Sequence, residues 1–573
     1  MTQPVITVAE AVGGAIARLG ARTVFGVVGS GNFHVTNALV AGGARFVAAR
    51  HEGGAATMAD AYARVSGGLG VLSVHQGPGL TNALTGITEA AKSRTPLLVL
   101  TGEVASGAVR SNFRIDQAAL AAAVGAVPER VHSPRTALAD AARACRTAVA
   151  ERRTVILGLP LDVQAAEYTG PELMSRPVVP PGQAAAAFAG PGQVPFLPVP
   201  PPAAIARLAS ALESAERPVF IAGRGARLSG ARGPLRELAA RCGALLATSA
   251  VARGLFKGDP YDLDVSGGFA TPTAAELIAG ADLLVGWGAS LNMWTMRHGT
   301  LVGKNATLIQ VDLDPASLGA HQPADLSLTG DVAETARAVL AELDARGRAG
   351  GEPGPGYRLP EVAGRLARER RWRDHPYDDA SDGSRIDPRT LSIALDDLLP
   401  AERTVAVDSG NFMGYPAMYL DVPDGDGLVF TQAFQSVGLG LATAVGAALA
   451  RPDRLTVAAL GDGGALMSIS ELETAVRLGL GLLVVVYDDE AYGAEVHHFG
   501  PDGHPLDTVT FPPADLAAIG RGFGCDAVTV SRREDLAGVA DWLAGPRDRP
   551  MVVHAKVTRN APSWWLEDAF RGH

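Results

Sequence analysis

Cysteine is scarce in this 573-residue chain: Cys145, Cys242 and Cys525 are the only three, and they lie far apart. That scarcity speaks against a disulfide framework or a cysteine-based zinc site and fits a reducing, cytoplasmic compartment. Basic residues are not in excess either. A formal net charge of −10 leaves no basic surplus for nucleic acid or an anionic membrane to recognise. No apolar run approaches the roughly 20 residues that a membrane span requires. The opening MTQPVITVAEAVGGAIARL lacks a basic segment ahead of an apolar one, so it reads as an amphipathic helix rather than a signal peptide. With 47% hydrophobic and only 19% charged residues, the composition is that of a well-packed α/β enzyme.

Two Pro/Gly-rich stretches without helical periodicity divide the chain, one from Gly170 to Pro202 and one from Ala345 to Tyr357. The divisions expected are 1–170, 203–344 and 385–573, with linkers at 171–202 and 345–384. Each part alternates short apolar runs with helical stretches. TVFGVVG, GLGVLSV, TPLLVLTG and TVILGL lie in the first; PVFIAG, ALLATS, DLLVGWG and TLIQVDL in the second; TVAVDSG, LTVAALGD, LGLLVVVYDD and PMVVHAKV in the third. This alternation predicts an α/β chain of three doubly wound parallel-sheet domains. Ligands in such folds bind where strand C-terminal ends meet helix N-termini.

Residues 484–493, VVVYDDEAYG, place Asp488 and Asp489 at the end of a run that reads as a strand buried on both faces. A plain turn is one explanation, since Asp is common in turns; a cation is the other. Upstream, LTVAAL ends in Gly461-Asp462-Gly463-Gly464 and leads into a helix, a turn whose glycines let backbone amides approach a phosphate. From Asp462 to Asp489 is 489 − 462 = 27 residues, enough for one helix and one strand, a crossover that returns to the same sheet. Two carboxylates beside one cluster of amides suit Mg²⁺, which takes one or two carboxylates along with phosphate oxygens and water.

At these residues the chain resembles the thiamine diphosphate enzymes of the acetolactate synthase, pyruvate decarboxylase and benzaldehyde lyase type. Their cofactor motif is Gly-Asp-Gly followed at this spacing by a metal-binding Asn, usually in an Asn-Asn pair; here the pair is Asp488-Asp489. The resemblance implies a Mg²⁺ held by Asp462, Asp489 and the carbonyl of Ala491. HEGGAATMADAYAR, His51 to Arg64, matches the pattern around the family's activating acid. On its own a Glu at a helix start is a dipole partner; the resemblance makes Glu52 the carboxyl that hydrogen-bonds the aminopyrimidine ring. HQGPGLTNALTGI resembles the family's Gly-Pro-Gly-x-Thr-Asn turn, with His75 and Gln76 where small hydroxyl residues are usual. Val437 aligns with the residue that bends the cofactor, and the Gln435 carbonyl with the acceptor of its 4′-amino group. Ser409, Gly410 and Asn411 align with a diphosphate loop, joined by Gly463, Gly464, Tyr492 and Gly493. Some relatives hold FAD or ADP in the central domain, but Gly-Arg-Gly-Ala-Arg here is too loose a fingerprint to support one. A homodimer or dimer of dimers with interfacial active sites is also implied.

The reaction is less sharply written. Glu495 falls where pyruvate decarboxylases carry a proton-handling glutamate, and a solvated helix charge is the competing reading. Ala494 is small, leaving room for a second carbonyl substrate. Ser30, Asn32, His34, Gln76, Asn112 and His498 are further substrate candidates. The expected function is cleavage of a 2-oxo acid or acyloin with transfer of the aldehyde unit to an acceptor carbonyl; the alternative is a decarboxylase that releases the aldehyde. A non-catalytic scaffold would not need both Glu52 and Asp462. A nicotinamide oxidoreductase would need a Gly-x-Gly-x-x-Gly that no strand end supplies.

Overall fold

The computed structural model describes residues 6–171, 197–347, 356–559 and 563–566. Most of the first expected linker and residues 348–355 of the second lie outside them. Three sheets, each of six parallel strands, form the chain's frame. The first holds β1 (Thr23–Gly26), β2 (Arg45–Ala48), β3 (Gly70–Val74), β4 (Leu97–Glu103), β5 (Val127–Arg130) and β6 (Thr154–Pro160) in the order β2-β1-β3-β4-β6-β5. The second holds β7 (Pro218–Ala222), β8 (Leu245–Thr248), β9 (Asp262–Val265), β10 (Leu283–Trp287), β11 (Thr307–Asp312) and β12 (Leu326–Thr329) in the order β12-β11-β10-β7-β8-β9. In the third, β13 (Arg403–Val407), β14 (Leu428–Phe430), β15 (Leu455–Gly461), β16 (Leu483–Asp488), β17 (Asp526–Val530) and β18 (Met551–Lys556) run in the order β14-β13-β15-β16-β18-β17.

The twelve strands expected from apolar runs are the four inner strands of each sheet. The six not anticipated, β2, β5, β9, β12, β14 and β17, are the sheet edges. Inner strands such as β3, β10 and β16 are buried at every position, so helices on both faces select unbroken apolar runs. Edge strands such as β5 and β12 are half-exposed and carry no such pattern. The second expected linker also contains more than a connection. Helix Pro360–Glu369 buries Val362 and Leu366, one turn apart, in the central domain's core.

The first and third domains share one hydrophobic core. It runs from Phe25, Leu72 and Val99 of the first sheet to Leu460, Val484 and Val552 of the third. Helix Glu52–Ser66 packs there on helix Gly440–Ala450, and small side chains let the two backbones meet. A Cβ on Gly446 would lie 2.3 Å from the carbonyl oxygen of Met58. The first of these helices stops at Gly67, whose φ of 69° is open to glycine at little cost.

Candidate functional site

The end of the third sheet gathers most of the expected residues. β15 and β16 are neighbours, with Gly461 opposite Tyr487, so Asp462 and the 488–491 turn leave the sheet side by side. Burial and the negative charges of Asp489 and Asp488 push the Asp462 carboxyl up to about 7. Burial, with Asp488 adding to it, raises Asp489 to about 6 against a hydrogen bond from the Ala491 amide. A cation would relieve both carboxyls. Around them the packing is close. A Cβ on Gly493 would sit 2.3 Å from Asp489 Oδ2 and 3.0 Å from Asn411 Nδ2, and one on Gly463 would sit 2.8 Å from the Tyr492 ring. Asn411, whose Nδ2 is on the cluster side, has its Oδ1 buried with no hydrogen-bond partner. Among the described residues no group of three or more His, Cys, Asp or Glu side chains is arranged to hold a metal. The carboxylates of Asp462 and Asp489 are the side chains here that could hold an ion, provided other ligands complete its shell.

Asp488 does not face this cluster. Its Oδ2 takes hydrogen bonds of 2.6 Å from both His554 Nε2 and Lys556 Nζ on the adjacent β18, and its Oδ1 accepts the Glu490 amide at 2.9 Å. Burial alone would raise its pKa; those two side chains hold it below the usual carboxylate range. Glu490, in the left-handed region at φ 55°, pairs in turn with Arg385 at 2.8 Å, Lys556 at 3.2 Å and Arg559. Of the two aspartates, the first sets the turn and the second faces the cluster.

A buried acid that the sequence reading passed over ties two loops together. Asp408, at the end of β13, accepts the amides of Ser409, Gly438 and Leu439 at 2.9–3.1 Å, and burial raises it to about 6. It thereby joins the Gly410-Asn411 loop to the turn that carries Gln435 and Val437. Gln435 is in the left-handed region at φ 61°, and Val437 is 39% exposed with its Cγ1 lying 3.3 Å from where a Gly464 Cβ would be. Beyond Tyr492, helix Gly493–Phe499 carries Ala494, Glu495 and His498, all half-buried.

In the first domain, Glu52 opens helix Glu52–Ser66 and its Oε2 accepts from Asn82 Nδ2 at 3.1 Å. The loop after β1 exposes Ser30, whose Oγ lies 3.3 Å from His75 Nε2, and the His75 ring rests 5.1 Å from that of Phe113. Asn112 and His34 are exposed. Two substrate candidates are placed otherwise. Asn32 is fully buried, accepting the Gly29 amide and donating to Ser73 Oγ at 3.0 Å, so it shapes the loop from inside. Gln76 is 3% exposed and lies under Gly31, filling the space a Cβ there would take. Neither presents a side chain outward. Among the described residues Glu52 has no hydrogen bond or ion pair with the third domain.

Where the three domains meet, a cavity of about 1240 Å³ is lined by Arg94, Arg152, Arg224, Asp312 and Gln435 among others. Burial, with Arg64 and Arg227 nearby, lowers Arg224 to about 9. Charges of both signs line this space, and they do not single out a nucleotide.

The chain matches the N-terminal TPP binding domain of thiamine pyrophosphate enzymes over residues 6–122, their central domain over 205–339 and their C-terminal TPP binding domain over 408–555. It is 32% identical to a probable 2-ketoarginine decarboxylase of Pseudomonas aeruginosa over 537 residues, 91% of this chain and 89% of that protein. It is 28% identical to an acetolactate synthase large subunit of Parasynechococcus marenigrum over 97% of this chain and 88% of the other. A sulfoacetaldehyde acetyltransferase of Rhodobacter capsulatus is 26% identical over 98% and 96% respectively.

Proposed function

Because the chain belongs to the thiamine pyrophosphate enzyme family, we propose that it cleaves a 2-oxo acid or acyloin and transfers the aldehyde unit to an acceptor carbonyl. Thiamine diphosphate, when bound, supplies the electron sink for breaking and making the bond beside a carbonyl. Everything else falls to the chain's own residues. Asp462, Asp489 and the Ala491 carbonyl would hold Mg²⁺; Gly410, Asn411, Gly463 and Gly464 would line the diphosphate. The carrying observation is the pair of raised carboxyls on adjacent strand ends beside an unpartnered Asn411 oxygen.

Glu52 would hydrogen-bond the aminopyrimidine ring and hold a proton there. Val437 would prop the bent cofactor, and the Gln435 carbonyl would accept from its amino group. Glu495 would manage a proton near the substrate carboxylate, while Ala494 leaves space for the acceptor. The apolar side chains left exposed on both halves support a homodimer or dimer of dimers with sites between chains. Val28, Phe33 and Phe113 are exposed on the first domain and Val437, Met467 and Tyr492 on the third.

The relative named as a decarboxylase supports a second reading, release of the free aldehyde. Purified protein with thiamine diphosphate and Mg²⁺ is given pyruvate, with and without a panel of aldehydes and ketones, and products are read by mass. A new carbon–carbon bond is the expected result. Free aldehyde alone favours the decarboxylase, and no consumption with cofactor bound overturns the choice of donor.

A further inference from the structure

Two buried glutamates, neither anticipated from the sequence, bridge the first and third domains in opposite directions. Glu471 belongs to the third domain, at the start of helix Glu471–Arg477, and is 1% exposed. Its Oε1 accepts the backbone amides of Arg50 at 3.1 Å and His51 at 3.0 Å, the two residues before Glu52. Gly54 makes the approach possible, since a Cβ there would lie 2.4 Å from that oxygen. Glu473 and Arg477 of the same helix add an ion pair to Arg50 and a hydrogen bond to the Ala48 carbonyl. Glu89 belongs to the first domain and is fully buried. Its Oε2 accepts the Phe434 amide at 2.7 Å and its Oε1 the Ala433 amide at 3.3 Å, in the turn that leads into Gln435 and Val437.

The two contacts occupy corresponding places. Each glutamate follows the third strand of its own sheet, counted in chain order, and each grips the turn after the second strand of the other sheet. We infer that Glu471 and Glu89 are reciprocal positioning residues: Glu471 fixes the turn that presents Glu52, and Glu89 fixes the turn that presents Gln435 and Val437. This rests on the cofactor reading above.

The surroundings of the two carboxylates differ, and that difference makes the inference testable. Glu471 has no cation among its hydrogen-bond partners; its Oε2 takes the Thr474 hydroxyl at 2.7 Å and the longer branch, at 3.3 Å, of the Arg50 amide that Oε1 accepts at 3.1 Å. In Glu471→Gln, Oε1 still accepts both amides and the new NH₂ can donate to the Thr474 oxygen. Glu89 is surrounded by donors at both oxygens, with Arg64 Nη2 at 2.8 Å and Ser93 Oγ at 3.1 Å on Oε1. In Glu89→Gln an NH₂ must face an amide or a guanidinium, so one contact is lost.

The experiment compares wild type, Glu471→Ala, Glu471→Gln and Glu89→Gln by three measurements on the full chain. These are amide hydrogen exchange, titration with Mg²⁺ and thiamine diphosphate followed by tryptophan fluorescence, and turnover, all below the melting transition of each variant. Glu471→Ala should speed exchange at Arg50 and His51 and lower kcat about 100-fold, the cost of misplacing a reacting group by an ångström or so, with cofactor half-saturation changed less than about fivefold. Glu471→Gln should keep both exchange and kcat within about threefold of wild type. Glu89→Gln should instead speed exchange at Ala433 and Phe434 and weaken cofactor binding. Unchanged exchange in Glu471→Ala, or a Glu471→Gln variant with lost turnover, overturns the inference, the latter by showing that the charge is what matters. Should Glu471→Ala not fold, the opposite behaviour of the two Gln variants still decides it. A wild type that binds no cofactor would sink the functional reading instead.

Discussion

The first and third domains have the same strand order, the same parallel pairings, and different chemistry at their strand ends. In the third, four carboxylates lie where β13, β15 and β16 end: Asp408, Asp462 and Asp489 are raised by burial, while His554 and Lys556 hold Asp488 low and turned away. In the first, the corresponding ends of β1 and β3 offer Ser30, Asn32, His75 and Gln76, with Glu52 after β2 as the acid. On the function proposed above, one scaffold would carry a cation-seeking half and a proton-handling half. Parallel strands direct all their C-terminal ends to one side, so changing side chains in the loops there changes the chemistry without disturbing the sheet.

The contrast can be tested by removing each half's acid. Asp462→Ala should abolish Mg²⁺-dependent cofactor binding, read by fluorescence titration, while Glu52→Gln should leave folding and cofactor binding largely intact and lower turnover by roughly 10²–10⁴-fold. Retained activity in Glu52→Gln would sink its assigned role. A smaller effect is expected behind the cation-seeking half. Lys556→Met leaves Asp488 and Glu490 short of a counter-charge and should cost about 2 kcal/mol in urea unfolding. The Asp488→Asn/Lys556→Met pair should recover most of that, because the unpaired charge is gone and the Glu490 amide keeps its acceptor. The smallest effect is assigned to Asp489→Asn, which restores the family's usual ligand and should shift Mg²⁺ half-saturation by no more than about threefold. Near-complete loss of binding would give that carboxylate another role.

The glutamate pair and the aspartate pair show different degrees of legibility. Asp462 and Asp489 could be found because their signal is local: a glycine-rich turn after an apolar run, then an acid one crossover later. Asp408 carries the same signal, an acid ending a buried strand, and could have been found that way. Glu89 sits inside an amphipathic helix and Glu471 at the start of a short one, where a glutamate reads as a solvated face or a dipole partner, and only the packing of two domains buries them. Asn32 and Gln76 show the converse, since both are buried. They are polar residues in a loop near the site, and polarity by itself does not say whether a side chain turns outward or holds the loop from beneath.

The sequence by itself determined the inner strands, the three-sheet plan and the crossover that sets Asp462 beside Asp489. Each of these follows from periodicity and spacing along one stretch of chain. The tertiary structure alone decided the edge strands, the docking of helix Pro360–Glu369, the partners that hold Asp488 away from the cluster, and which glutamates cross between domains. Those depend on partners far apart in sequence: His554 and Lys556 turn Asp488 away, and Arg50 and His51 meet Glu471 about 420 residues on. Burial and hydrogen-bond pairing are properties of the packed molecule, and no local pattern of residue types carries them.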